Sequence, residues 1–152
     1  MLDNHEFLNS CRGPWVLKLQ DSSSLGQLKN IIFLDGMKMI SIEGVYHEVA
    51  MAFKFPDYFG KNFNALFDML TDLSWFSEDN YIVIIKNAEQ MLSDAAGTEA
   101  LEGFLEILSE VGKEWSIPIE EGEEWDRPCI PFHTILELNR DNVLNIPCLQ
   151  DV

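Results

Sequence analysis

The hydrophobic residues of the chain fall into short, unbroken runs separated by longer stretches with helical spacing. Ile31–Leu34 and Tyr81–Ile85 consist only of aliphatic and aromatic residues, a pattern typical of strands that are covered on both faces. Trp15–Leu19 and Phe132–Leu138 indicate two further strands. We therefore expect a sheet with three core strands, to which the segment 15–19 adds a strand at an edge.

Three helices are expected between these strands. The first follows Ser41, a candidate N-cap, and must end before Pro56, because the residue before a proline avoids the α region. The second follows Gly60. The third extends from Thr98, a candidate cap, to Gly112 near its C-terminal end. The apolar stripes are Val45, Val49, Ala52 and Phe53 in the first helix, Phe63, Leu66, Phe67 and Leu70 in the second, and Leu101, Phe104, Leu105, Leu108 and Val111 in the third. Strands alternating with helices predict an α/β fold with a small, mainly parallel sheet.

The length and composition of the chain suit one domain spanning residues 1–152. It has 152 residues, of which 47% are hydrophobic. No Lys or Arg precedes Arg12 and no long apolar run is found, so we expect neither a signal peptide nor a membrane span. Three widely separated cysteines (Cys11, Cys129 and Cys148) indicate free thiols rather than a disulfide framework or a zinc site. These features favour the cytoplasm.

The charge of the chain is its most unusual property. Ten Lys and Arg residues against 26 Asp and Glu residues give a net charge of −16, and residues 87–126 carry twelve acids and only Lys113. Such a surface repels nucleic acids and anionic membranes, so we expect neither as a direct partner. Two interpretations remain open: the charge serves solubility, or it attracts a basic protein partner by electrostatic steering.

The sequence contains no recognisable catalytic motif. Dinucleotide-binding, phosphate-binding, nucleophile-elbow and zinc-protease patterns are all missing from it. His5, His47 and His133 stand alone and are interpreted as ordinary histidines, and Cys129 as a small apolar filler rather than a nucleophile. We therefore expect no enzyme activity, no metal, no cofactor and no small-molecule substrate, although the many carboxylates leave a catalytic pair open as an alternative.

The most informative segment is FPDYFGKNFNALFDMLT, residues 55–71. It resembles the signature of the barstar family, in which proline, an acid, two aromatic residues, glycine and asparagine precede a helix containing Ala-Leu-aromatic-Asp-x-Leu-Thr. The likeness covers residues 30–115 and the last strand, in the family's order of elements. It implies a core over residues 30–138, an N-terminal extension (1–29) and a C-terminal tail (139–152).

The resemblance also implies a function and a binding site. Family members inhibit a secreted ribonuclease such as barnase by inserting this helix and the preceding loop into its active site. Asp68 matches the acid that occupies the phosphate site of the enzyme. The implied partner-binding residues are Tyr58, Phe59, Asn62, Asn64, Phe67, Asp68, Thr71, Asp72 and Glu110. The implied partner is therefore a basic ribonuclease or nuclease toxin bound 1:1, with the chain acting as its immunity protein or antitoxin.

Several residues depart from the family pattern. Asn64 stands where barstar has a second acid, Phe59 replaces a tyrosine, and Asp72 replaces a glycine. A binding or regulatory module of the same fold, with a partner that is not a nuclease, thus remains an alternative. Glu102, Glu106 and Glu110 on the third helix, and the acids of the 117–131 loop, are open between a solvated surface and an interface. Trp125, amid the loop acids, is a candidate anchor.

Overall fold

The computed structural model describes residues 3–94, 99–138 and 144–152 and contains one parallel sheet. Its four strands are β1 (Val16–Leu19), β2 (Ile31–Asp35), β3 (Tyr81–Lys86) and β4 (Phe132–Glu137). The strand order is β1-β4-β3-β2, and every neighbouring pair is parallel. The predicted α/β class is confirmed. The strand at 15–19 lies at an edge, and the Tyr81–Ile85 run lies in the interior of the sheet, as expected.

In the part of the chain that the structure describes, four α-helices connect and cover the strands. They are α1 (Asn4–Leu8), α2 (Ile42–Ala52), α3 (Phe63–Asp72) and α4 (Glu99–Trp115), and short 3-10 turns occur at Ser22–Leu25, Gly36–Lys38, Ala88–Gln90 and Leu149–Asp151. Ser41 caps α2 as predicted, because its side chain accepts a hydrogen bond from the Gly44 N–H. The proposed cap Thr98 lies outside the described residues. None of the helices that the structure describes is long and apolar enough to cross a membrane.

The two faces of the sheet are covered by different parts of the chain. Alternate residues of β3 explain its unbroken apolar run: Tyr81, Val83 and Ile85 belong to the core under α2, α3 and α4, whereas Ile82 and Ile84 point to the other face. On that second face they meet residues of the N-terminal and C-terminal segments, namely Phe7, Leu8, Leu25 and Leu149. The described parts of the 1–29 extension and of the tail thus complete the second layer of the domain.

The prediction that β2 is covered on both faces was wrong. Ile32 and Leu34 are buried against the helices, but Phe33 on the opposite face is 55% exposed. The second layer reaches only as far as Ile31, which packs on its margin. β2 is the other edge strand, and its continuous apolar run therefore did not indicate two-sided burial.

The prediction that Gly112 ends the third helix was also wrong. The helix continues to Trp115, and Gly112 is buried in its last turn. A Cβ atom at this position would lie 2.5 Å from the Cβ of Trp15 and 2.8 Å from the carbonyl oxygen of Phe132. Gly112 is therefore explained by the close approach of α4 to the sheet and not by a helix terminus.

Candidate functional site

The beginning of α3 is held by Asn62. Its side-chain oxygen accepts a hydrogen bond of 2.7 Å from the Ala65 N–H, and its amide nitrogen donates to the Gly60 carbonyl at 3.3 Å. Asn62 is thus the N-cap of α3, with an extended backbone that enters the helix directly. The family resemblance implies that Asn62 contacts the partner, and the structure gives this exposed residue a role in positioning the helix.

The end of α3 is held by two side chains from distant segments. The indole of Trp115 donates a 2.7 Å hydrogen bond to the Leu70 carbonyl, and the guanidinium of Arg127 donates one of 3.2 Å to the Thr71 carbonyl. Leu73 closes the helix in the left-handed conformation, with φ 48°. Because the last carbonyls of a helix lack partners within it, these donors fix the position of the terminal turn.

The outer face of α3 presents polar side chains to solvent. Asn64, Asp68 and Asp72 are all exposed, whereas Leu66 and Leu70 on the inner face are fully buried. Within the described residues, neither aspartate forms an ion pair; the one pair found there joins Lys86 and Glu137 at 3.6 Å. The Asp68 carboxylate is therefore free to meet a cation from another molecule, whereas that of Asp72 lies close enough to Arg127 to interact with its charge.

The loop before α3 combines an exposed tyrosine with packed aromatic rings. Tyr58 is 72% exposed. Phe59 is half-buried, with its ring centre 5.0 Å from that of Phe55 and 5.8 Å from that of Tyr46. Tyr58 is therefore available to a partner, while Phe59 mainly fixes the loop against α2.

The remaining predicted contact residues differ in exposure. Phe67 is half-buried against the core, and the hydroxyl of Thr71 donates a 2.8 Å hydrogen bond to the Phe67 carbonyl. Glu110 is exposed on α4, which packs beside α3 where Gly103 faces the Phe63 ring. The exposed acids of α3 and α4 therefore belong to two helices that pack side by side, while Phe67 and Thr71 are partly buried.

The neighbourhood of α3 is acidic, although Arg127 lies in it. Burial lowers the pKa of the Arg127 guanidinium, while the nearby Glu114, Tyr81 and Asp72 raise it. The guanidinium stacks on the Trp115 ring, 3.5 Å from its centre. The positive charge of Arg127 therefore already interacts with neighbouring acids and with the Trp115 ring. The surface around α3 remains negatively charged.

The described residues contain no group of three or more His, Cys, Asp and Glu side chains that could hold a metal ion. His133 is buried in β4, and its Nε2 lies 2.8 Å from the Arg12 carbonyl.

Cys129 is exposed, so its interpretation as an apolar filler was wrong. It contacts Cys11; burial and the hydrogen bond to Cys129 raise the pKa of the Cys11 thiol to about 12.

Comparison with protein families identifies the family of this chain. The family model described as Barstar (barnase inhibitor) matches residues 30–136, which is more than half of the chain and includes all of α2, α3 and α4. The chain belongs to the Barstar family. This is a family of inhibitors, and its model ends within β4, so β1, α1 and the C-terminal segment lie outside the match. No curated protein matches the chain significantly.

Sequence reasoning missed Trp115 and Arg127 as residues that position the site. Arg127 is the single basic residue between positions 117 and 131, and this isolation is the one signal that sets it apart. Its hydrogen bond to Thr71 joins residues far apart in the sequence. Such a contact has no local pattern, so the folded Barstar domain was needed to find it.

Proposed function

We propose that this chain is a cytoplasmic inhibitor of a basic ribonuclease, of the immunity or antitoxin type, and that it catalyses no reaction itself. It would bind the enzyme 1:1 and cover the active site with α3 and the loop before it. The observation that carries this proposal is the exposed acidic face of α3, fixed at both helix ends, in a member of an inhibitor family.

Charge complementarity supports the proposal. A ribonuclease must grip the phosphates of RNA with cationic side chains, and a carboxylate placed there can form charge-assisted hydrogen bonds with the same cations. Asp68 offers an exposed carboxylate without an ion-pair partner among the described residues. The net charge of −16 would also speed the encounter with a basic enzyme.

Preorganisation supports it as well. Asn62 holds the first turn of α3, and Trp115 and Arg127 hold the last one. A side chain on a helix fixed in this way has little freedom to lose when it binds. Asp68 therefore lies on a rigid support, as an inhibitor that inserts a helix into an active site requires.

The direct test is inhibition of RNA hydrolysis by barnase and by a panel of other basic microbial ribonucleases. We expect stoichiometric inhibition of at least one enzyme. Asp68→Ala should weaken binding by about tenfold or more, because it leaves a buried cation of the enzyme unpaired; barnase and barstar are the standard example of such pairs. Thermal stability should change little, since alanine is a better helix former than aspartate at an exposed position.

Two further variants complete this experiment. Glu6→Ala removes an exposed acid from α1, on the opposite face of the sheet, and should leave the affinity unchanged. Asn64→Asp adds a carboxylate one turn before Asp68 and should retain or tighten binding. If no enzyme of the panel is inhibited, or if Asp68→Ala binds as tightly as the wild type, the proposal is wrong. A partner that is not a nuclease would then be favoured.

A further inference from the structure

The acidic loop (residues 117–131) between α4 and β4 is a closed, ordered turn. Ile119 and Arg127 exchange two backbone hydrogen bonds of 2.9 and 3.1 Å. Near the tip, the Asp126 carboxylate accepts hydrogen bonds from the N–H groups of Glu121 and Gly122, at 3.0 and 2.8 Å. Desolvation raises the pKa of Asp126, but hydrogen bonds from the backbone N–H groups of Glu121, Gly122 and Glu123 together lower it by more. The pKa of Asp126 therefore lies below its usual value. These hydrogen bonds hold the backbone of the loop in a closed conformation.

Trp125 is the outstanding side chain of the acidic loop. It is 60% exposed, and its indole nitrogen donates a 2.9 Å hydrogen bond to the Glu121 carboxylate. The polar atom of the ring thus has a partner within the loop, while the apolar faces remain accessible. Tryptophan is among the residues that most often anchor protein interfaces, and a side chain already held in place loses little entropy on binding.

A cleft of about 550 Å³ separates Trp125 from the end of α3. Thr71 and Asp72 line it, so the cleft is continuous with the surface that carries Asp68. Arg127 connects the two sides, because it belongs to the acidic loop and binds the Thr71 carbonyl. The loop is therefore fastened to the same helix end that the proposed inhibitory surface uses.

The lining of the cleft is acidic as well as aromatic. Its four carboxylates belong to Asp72, Glu114, Glu124 and Asp126, against the single guanidinium of Arg127, which gives a net charge of −3. That guanidinium is stacked on Trp115. A cation entering the cleft would meet several carboxylates and the π face of Trp125, and both attract lysine and arginine side chains.

We infer that the cleft and Trp125 form a second contact site for the same basic enzyme, and that the cleft takes a lysine or arginine side chain of that enzyme. This inference rests on the proposed function and extends the inhibitory surface from α3 to the acidic loop. Charge complementarity favours this occupant over a second copy of the chain, because two copies with a net charge of −16 each repel one another.

The test is titration calorimetry of Trp125→Ala against barnase, or against whichever enzyme of the panel is inhibited most strongly. We expect the affinity to fall by about tenfold or more, as for an anchor residue at the centre of an interface. Trp125→Phe keeps an aromatic face and should retain most of the affinity. Phe33→Ala removes another exposed aromatic side chain, on β2 and away from the cleft, and should bind like the wild type. Thermal melts confirm that each variant is folded.

The result with Asp68→Ala separates the two proposals. If Asp68→Ala weakens binding but Trp125→Ala does not, the second contact site is wrong and the inhibitory role of α3 stands. If the wild-type chain binds no enzyme, both proposals are wrong. Sedimentation of the free chain tests the other occupant: a dimer that disappears in Trp125→Ala would show that the cleft binds a second copy and would overturn the inference.

Discussion

The guanidinium of Arg127 lies 3.5 Å from the centre of the Trp115 ring, and both side chains donate hydrogen bonds to the last turn of α3. Trp115 closes α4, and Arg127 comes from the acidic loop, so three segments meet at this contact. Cation–π stacking on a partly desolvated ring contributes about 1–2 kcal/mol, and a hydrogen bond from a charged group adds a comparable amount.

We predict that Arg127→Ala lowers the free energy of unfolding by about 1–3 kcal/mol, because both interactions are lost and the Thr71 carbonyl loses its donor. Urea denaturation followed by tryptophan fluorescence measures this difference. Arg127→Lys keeps the charge but not the planar fork, and it should recover only part of the loss. If Arg127→Ala unfolds at the same urea concentration as the wild type, the stack does not stabilise the domain.

We predict that association with the inhibited ribonuclease slows as salt is added, whereas dissociation changes less. The acids in residues 87–126 act at long range, and the Debye length falls from about 10 Å at 0.1 M to about 3 Å at 1 M. Stopped-flow kinetics should show a decrease in the association rate of about tenfold or more over this range.

A variant with glutamines at Glu120 and Glu123 provides the control for steering. It removes two charges from the acidic loop without touching the cleft carboxylates or the Asp126 hydrogen bonds. Its association rate should be lower at low salt and should depend less on salt. If the association rate of the wild type does not vary with salt, these acids do not steer the enzyme. Their role would then be to keep the chain soluble.

His133 gives the stability of the chain a pH dependence near neutrality. Burial lowers the pKa of its ring, and the hydrogen bond to the Arg12 carbonyl offsets this only in part. A carbonyl can only accept, so Nε2 carries the proton in its 2.8 Å bond to Arg12. The rings of Phe7 and Trp15 pack against it, with centres 4.8 and 5.5 Å away, and contribute to the burial that disfavours a second proton.

We predict that the free energy of unfolding falls as the pH drops below about 6.5, the ordinary pKa of histidine. The unfolded chain then binds a proton that the folded chain resists, and the slope reaches at most about 1.4 kcal/mol per pH unit. The decrease stops below the pKa of the folded state. Above the pKa of the unfolded state, the free energy of unfolding no longer depends on the protonation of His133. Denaturation of the wild type and of His133→Gln between pH 5 and 8 measures this, and equal slopes would contradict it.

The C-terminal segment is expected to be part of the stable core. Leu149 is fully buried on the second face of the sheet, in the cluster with Ile82, Ile84 and Ile135. Leu149→Ala should destabilise the domain by about 2–5 kcal/mol, as is usual for a truncated buried leucine. Thermal and urea unfolding measure the loss. The exposed neighbour Gln150 offers a control, since Gln150→Ala should change little, and equal stability of the two variants would show that the segment is not packed in solution.

The sequence predicted the parts of the fold that local patterns encode. The apolar run of β3, the stripe of α3 and the Ser41 cap each depend on residues close together in the chain, and the structure confirms them. Phe33 and Gly112 were misinterpreted because an edge strand and a close helix–sheet contact depend on remote segments. The support of α3 by Trp115 and Arg127 was missed for the same reason, since side-chain bonds to distant carbonyls leave no periodic signal.

The position of β1 has a consequence for the behaviour of the chain at high concentration. The family match covers residues 30–136, so a sheet built from these residues alone would leave the outer edge of β4 unpaired. Open edges of this kind accept strands from other molecules and promote aggregation. Here the N–H groups of Thr134 and Leu138 donate hydrogen bonds to the carbonyls of Trp15 and Leu19, so β1 covers this edge. On the outer side of β1, the Lys18 N–H donates to the Pro147 carbonyl. The two terminal segments therefore protect this edge of the sheet against intermolecular strand addition.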